Sequence, residues 1–350
     1  MAALLPPPLE IDPPLLNTAN PWATDLADLT KLYACPHTGA VTTRTSLLDG
    51  FRHNPSVHQY AFFDAATHDP AATAAPTSTT TNSASLNTLG YSPLTLDQYL
   101  GFIQQIAAAA HTASGDAETG GKPPKGFLVS VTGRPDDVAA CYKRIAATQT
   151  ALPDPRRVPL AMEVNLSCPN IPGAPPPAYD STALLSYLTA IQGAIAETIE
   201  ATGVQIPVGF KTPPYTHAGQ FDVLFGALKA SAPASSGGVC PLSFLTATNT
   251  LGSCLVMTDS ETGAVPALAG GGIGGMAGAP LHPIALGNVV TLRQRLDAGP
   301  AALGHIRVIG AGGVSDAAGF GRMKSVGAYA VGVGTGLGIH GVGVFGKILP

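Results

Sequence analysis

Short apolar runs recur along the chain at 14–19, 39–44, 127–132, 162–167, 207–211, 244–249, 306–310 and 328–332. Most are rich in Val, Ile, Leu or Phe and end in Gly, Asn, Ser, Thr or a charge. A run that is apolar throughout, rather than at alternate positions, marks a strand buried on both faces of a parallel sheet. Between these runs, apolar residues at helical spacing predict helices over 25–33, 97–110, 136–148, 181–202 and 283–297. Thr24 is suited to cap the first of them. This alternation predicts an α/β fold, a single (β/α)8 TIM barrel, in preference to an open sheet.

The 350 residues suit one such barrel over 1–350 with surface insertions. Two low-complexity stretches are read as those insertions. One is the Ala-, Thr- and Ser-rich 65–85, and the other is the Gly- and Pro-rich 112–125. Hydrophobic residues are 45% and charged residues 11%, which allows a large core and excludes general disorder. Lys and Arg number 18 against 22 Asp and Glu, so no basic stripe offers nucleic acid a landing site. No window reads as a membrane span, and the Pro-rich start does not read as a signal peptide. The five cysteines lack CxxC or His-Cys spacing, which points to reduced thiols in the cytoplasm and to no metal site.

In a parallel barrel the reactive side chains sit at the C-terminal strand ends. Those ends supply Ala19-Asn20, Arg44-Thr45, the run Asn165-Leu166-Ser167-Cys168-Pro169-Asn170, Lys211, and Asn249-Thr250. Amides and hydroxyls dominate, and carboxylates are nearly absent. This set suits a flat, hydrogen-bonding heterocycle or a carboxylate, not metal hydrolysis or glycoside cleavage. Gly312-Gly313 and Gly334-Thr335 follow consecutive late strands, where barrels frequently bind phosphate. The plainer reading of these glycines is tight turns. Lys211, fixed by Pro213-Pro214, is placed to neutralise charge on a reduced ring, and the plainer reading is a solvated loop lysine. Cys168, gathered among Asn165, Ser167 and Asn170, is a candidate general base, and otherwise a buried inert thiol.

The block Glu163-Val164-Asn165-Leu166-Ser167-Cys168-Pro169-Asn170-Ile171-Pro172-Gly173 resembles the dihydroorotate dehydrogenase family, most closely its soluble, fumarate-using class. Further matches follow the family's order, from Gly39–Ser46 and Leu86–Gly90 through Gly209–Tyr215, Ala247–Gly252 and Gly271–Gly275 to Gly310–Gly313 and Gly334-Thr335. The resemblance implies FMN across the barrel mouth, held by Ala19, Arg44, Thr45, Asn165, Lys211, Thr248, Gly275, Gly312, Gly313, Gly334 and Thr335. It implies that Asn87, Asn165, Asn170, Asn249 and Thr250 hold dihydroorotate, beside Leu89, Gly90 and Tyr91. Cys168 would then remove the C5 proton while hydride leaves C6, and fumarate would take the electrons, in a cytoplasmic homodimer that makes orotate for pyrimidine biosynthesis.

The chain departs from that pattern in places. Arg44 stands where the family has a lysine that touches flavin and substrate, and a guanidinium is not its equivalent. Ala19-Asn20 replaces Ser-Gly, and Thr250 replaces Ser. The family continues into a closing helix after its eighth strand, whereas this chain reaches Pro350 soon after. A different cyclic amide or carboxylate substrate is therefore the alternative, and a barrel that only binds a phosphorylated ligand is the third reading.

Overall fold

The structure is a computed structural model that describes residues 5–70, 82–114, 123–167, 176–232, 238–261 and 263–350. The chain opens with β1 (Leu15–Asn17) and β2 (Ala40–Thr42), then leaves the ring as β3 (Tyr60–Phe63) and β4 (Ala84–Asn87). It returns as β5 (Gly126–Val131), β6 (Leu160–Asn165), β7 (Val208–Thr212) and β8 (Phe244–Ala247). A second excursion contains β9 (Leu251–Cys254), β10 (Met257–Ser260), β11 (Gly263–Pro266) and β12 (Gly274–Gly278). The strands β13 (Arg307–Ala311) and β14 (Ala330–Val333) complete a closed barrel in the order β1-β14-β13-β8-β7-β6-β5-β2. Neighbouring strands of this ring run parallel. Each of the runs read as a strand from its apolar pattern supplies one of these barrel strands, with ends shifted by at most three residues.

The expected helices appear as α1 (Leu26–Ala34), α2 (Leu96–Ser114), α3 (Pro135–Ala151), α4 (Ser181–Thr202) and, after α5 (Ala218–Ala230), α6 (His282–Asp297). Asp25, not Thr24, caps α1, because its side chain accepts the Asp28 N–H at 2.8 Å. Asp180 caps α4 in the same way, and Gly203 ends it at φ 71°, a left-handed turn that glycine adopts without strain. After β13 comes α7 (Ala317–Ser325), and after β14 come α8 (Thr335–His340) and α9 (Gly343–Ile348). No helix among the described residues is long and apolar enough to cross a membrane.

Strand residues two apart share a face. One inward set, Leu16, Ala40, Leu128, Ala161, Phe244, Ile309 and Ala330, packs as a cluster with Leu9 and Ile11 of the leading segment. These two residues cork the N-terminal end of the barrel. The cork is held by the Ser243 hydroxyl donating to Pro7 O at 2.7 Å and by the Ile11 N–H donating to the Tyr329 hydroxyl at 3.0 Å. Inside, the Phe244 ring lies where a Cβ on Gly209 would sit, so a residue without a side chain lets the aromatic fill the axis. The alternate residues, such as Val129, Met162, Val164, Phe210 and Leu245, face outward into the apolar layer shared with the helices. Two residues further along the inward face, at Ser130, Glu163 and Thr246, the interior turns polar.

Outside the ring, β3, β4, β12 and β9 form an antiparallel sheet in the order β3-β4-β12-β9, and β10 pairs with β11 as a hairpin. The stretch 65–85, read from its composition as an insertion, joins this sheet at its end. That stretch runs into β4, where Ala84 is fully buried and Ser85 nearly so. The stretch 112–125 is tied to the fold at both ends. Residues 112–114 are the last turn of α2, and the Lys125 ammonium donates to Leu32 O, Cys35 O and the Thr38 hydroxyl at 2.9, 2.6 and 2.7 Å. The remainder of both stretches lies outside the described residues.

Candidate functional site

A cavity of about 300 Å³ opens at the C-terminal ends of the barrel strands. That volume is at the lower end of the range for small-molecule sites, about 300–1,000 Å³. The outer sheet contributes to its wall through Ser85, Asn87 and Ala277. The predicted residues Ala19, Arg44, Thr45, Asn87, Leu89, Gly90, Tyr91, Asn165, Lys211, Thr248, Asn249, Thr250, Gly312, Gly313, Gly334 and Thr335 all line it. Cys168 and Asn170 lie outside the described residues. Among the described residues no group of His, Cys, Asp or Glu is placed to hold a metal ion.

The floor is a buried amide and hydroxyl network. Asn165, at the end of β6, donates Nδ2–H to the Thr45 hydroxyl at 3.2 Å. Its Oδ1 accepts from Ser167 N, the Ser167 hydroxyl and Asn249 Nδ2 at 3.2, 3.1 and 3.3 Å. Asn249 Nδ2 also donates to the Ser167 hydroxyl at 3.1 Å. Fixed amides of this kind can recognise a ring that carries N–H and C=O groups side by side.

Among the described residues that line the cavity are two cations and no carboxylate. Lys211 is the penultimate residue of the apolar strand β7 and is 4% exposed, which corrects the plainer reading of it as a solvated loop lysine. Arg44, half-buried beyond β2, donates Nη2–H to Gly90 O and Tyr91 O at 3.4 and 3.3 Å. Burial lowers its pKa from the usual arginine value, and the guanidinium stays charged at neutral pH. Burial and then the Arg44 charge lower the pKa of nearby His53. The field in the cavity is therefore positive and favours an anionic occupant.

The glycine loops also face the cavity. Gly312 and Gly313 have φ of 145° and 69°, conformations that L side chains rarely adopt. A Cβ on Gly312 would come within 2.5 Å of Ala285 Cβ, and one on Gly313 within 2.7 Å of Gly278 O. The glycines thus let the loop press onto α6 and β12, while its backbone forms the cavity wall. The N–H groups of Gly313 and Gly334 have no protein acceptor among the described residues, as a phosphate cradle requires. The Gly312 carbonyl is pinned from behind by His282 Nδ1 at 2.7 Å.

Gly275 does not line the cavity. Its carbonyl accepts from Asn87 Nδ2 at 3.1 Å, and an added Cβ would collide with the Thr250 hydroxyl. It touches the cavity lining through those two neighbours. Asn20 lines the wall too, as do residues that the sequence pattern does not single out, among them Thr18, Trp22, Tyr60 and His340. Trp22 stacks on Phe62 at 5.5 Å and meets Tyr60 edge-on at 5.4 Å. Asn20 is a strand-end amide, whereas Trp22 and Tyr60 come together only through the outer sheet.

A corked parallel barrel with a cationic, amide-floored mouth and a glycine-lined wall is suited to an anionic, hydrogen-bonding ligand. The model of the dihydroorotate dehydrogenase family matches residues 59–350, and the chain belongs to that family. It is 25% identical over 336 residues to dihydroorotate dehydrogenase A (fumarate) of Lactococcus lactis, covering 96% of this chain and 88% of that one. With dihydroorotate dehydrogenase (fumarate) of Trypanosoma cruzi it shares 30% identity over 265 residues, 75% of this chain and 70% of that one. The solved DHODH of Eimeria tenella in complex with ferulenol has the same fold, with a TM-score of 0.64 at 17% identity over 96% of this chain and 79% of that one.

Proposed function

We propose that this protein oxidises dihydroorotate to orotate, with FMN as the redox carrier and fumarate as the electron acceptor. The observation that carries this reading is a cavity with two cations, a buried amide floor and no carboxylate among the described lining residues. Dihydroorotate and fumarate are anions, and the first presents the ring amides that such a floor can pair with. The names of the fumarate-class relatives support the same substrate and acceptor.

When bound, FMN would supply two-electron redox chemistry between substrate and acceptor. Ala19, Thr45, Asn165, Thr248 and Thr335 would hold it, with the free N–H groups of Gly313 and Gly334 on its phosphate and Gly312 shaping that loop. Gly275 supports the site from behind Asn87 and Thr250. Lys211 would offset negative charge on a reduced ring, and Arg44 would add a second positive charge at the rim. Asn87, Asn165, Asn170, Asn249 and Thr250 orient the substrate beside Leu89, Gly90 and Tyr91. Cys168 takes the C5 proton onto its thiolate sulfur. We place the reaction in the cytoplasm, in a homodimer, as the resemblance implies.

The test is to purify the protein, record its absorption, and mix it anaerobically with dihydroorotate or other cyclic amides such as dihydrouracil. Flavin bleaching by dihydroorotate and recovery with fumarate are expected. Arg44 in place of lysine favours one alternative, a different cyclic amide. A yellow protein bleached only by such a compound would establish that reading. A colourless protein that binds phosphorylated ligands would overturn both.

A further inference from the structure

Below the cavity floor lies Glu163, the one Asp or Glu that is buried among the described residues, at 2% exposure. It lies on the inward face of β6, two residues before Asn165 and outside the cavity lining. Its Oε2 accepts from the Thr246 hydroxyl at 2.7 Å, and its Oε1 from the Ser130 hydroxyl at 3.0 Å. The Ser130 oxygen in turn is 2.9 Å from the Thr45 hydroxyl.

A carboxylate has no hydrogen to give, so both hydroxyls must donate to it. Ser130, having spent its hydrogen on Glu163, can only accept from Thr45. Thr45, having spent its own, can only accept from Asn165, and Nδ2 lies 3.2 Å away. The carboxylate thereby sets the direction of every bond from Asn165 inward. The amide is left with Oδ1 toward Ser167 and Asn249, and that contact in turn orients Asn249.

We infer that Glu163 is a positioning residue, whose charge fixes through Ser130 and Thr45 the way the Asn165 and Asn249 amides face the substrate. The inference rests on the proposed function for the identity of that substrate, but not for the direction of the chain. A glutamine at 163 would carry a hydrogen as well as a lone pair. Ser130 and Thr45 could then turn their hydroxyls round, and Thr45, free to donate to Asn165 as well as to accept from it, would no longer hold the amide with Nδ2 inward.

The experiment uses the FMN-loaded protein and three variants, Glu163→Gln, Ser130→Ala and the pair together. For Glu163→Gln, the KM for dihydroorotate and the Kd for orotate should rise about tenfold, with kcat changed less. The Asn165 side-chain amide resonances, read by isotope labelling without substrate, should shift and exchange faster with water. Ser130→Ala cuts the same chain while leaving the charge, so the double variant should be no worse than the worse single one. Unchanged orotate affinity and unchanged Asn165 resonances in Glu163→Gln would overturn the inference, as would effects that simply add. If Glu163→Gln fails to fold, Ser130→Ala carries the same test through the same two readouts. Wild-type protein that ignores dihydroorotate would sink the proposed substrate instead, and the resonances would still judge Glu163.

Discussion

Arg322 donates its Nε–H to Nε2 of His282 across 3.0 Å, and this contact decides which tautomer the imidazole holds. A guanidinium can only donate, so Nε2 must accept, and the ring hydrogen sits on Nδ1. That hydrogen is the one aimed at Gly312 O, 2.7 Å away. The pair therefore acts on the glycine loop from behind. His282→Ala should release the loop and weaken FMN retention about tenfold, the loss of roughly one hydrogen bond. His282→Asn, which can still donate to the carbonyl, should retain more. Flavin fluorescence after dialysis measures both, and equal retention by all three proteins would show the contact to be idle.

A second prediction concerns the barrel axis. Gly209→Ala places a methyl group on the Phe244 ring, deep in the interior. Overpacking of this kind costs about 1–3 kcal/mol, which denaturant unfolding would detect. Phe244→Leu in the same chain should recover part of that loss. A Gly209→Ala protein as stable as wild type would mean that the ring moves aside freely.

Arg44 is the sharpest departure from the family pattern, and the structure holds its guanidinium against the Gly90 and Tyr91 carbonyls. Reactivity is sensitive to displacements of about 1 Å. Stopped-flow reduction by dihydroorotate should therefore speed up in Arg44→Lys and slow down in Arg44→Met. Equal rates in all three would remove Arg44 from the site. A much slower Arg44→Lys would mean that the cavity was shaped around a guanidinium and takes another substrate.

Cys168→Ala should retain FMN and lose about 10²–10⁴-fold in its reduction by dihydroorotate, the usual share of a general base. A variant reduced at the wild-type rate would take the thiol out of the mechanism.

These sites were legible to very different degrees in the sequence. The barrel strands announce themselves because burial on both faces demands continuous apolar runs such as Phe127–Val131. The outer sheet does not. Its strands carry Ala84-Ser85-Leu86-Asn87 and Gly274-Gly275-Met276-Ala277-Gly278, and are held by pairings between distant segments, such as Gly275 with Asn87. No local pattern encodes such a contact. In α5 the buried Phe221, Leu224, Phe225 and Leu228 have helical spacing, but Gly219 and Gly226 weaken the signal. In α7, Gly319 and Gly321 do the same. The cavity residues at strand ends were found because the barrel tells where to look. Glu163 was in plain view as a charge inside an apolar strand, yet only the partners on β5 and β8 show what it holds.

The leading segment seats Leu9 and Ile11 in the base of the barrel, so the cavity opens at the opposite end. Under the proposed function dihydroorotate and fumarate share the amide floor there, and two reactants that share one site must take turns. Under the proposed chemistry the first product has to leave before the second reactant can arrive, so the kinetics are of the alternating, ping-pong kind. Each product would then occupy the space that the other reactant needs. Orotate should compete with fumarate, and succinate with dihydroorotate, although neither pair shares a common ring.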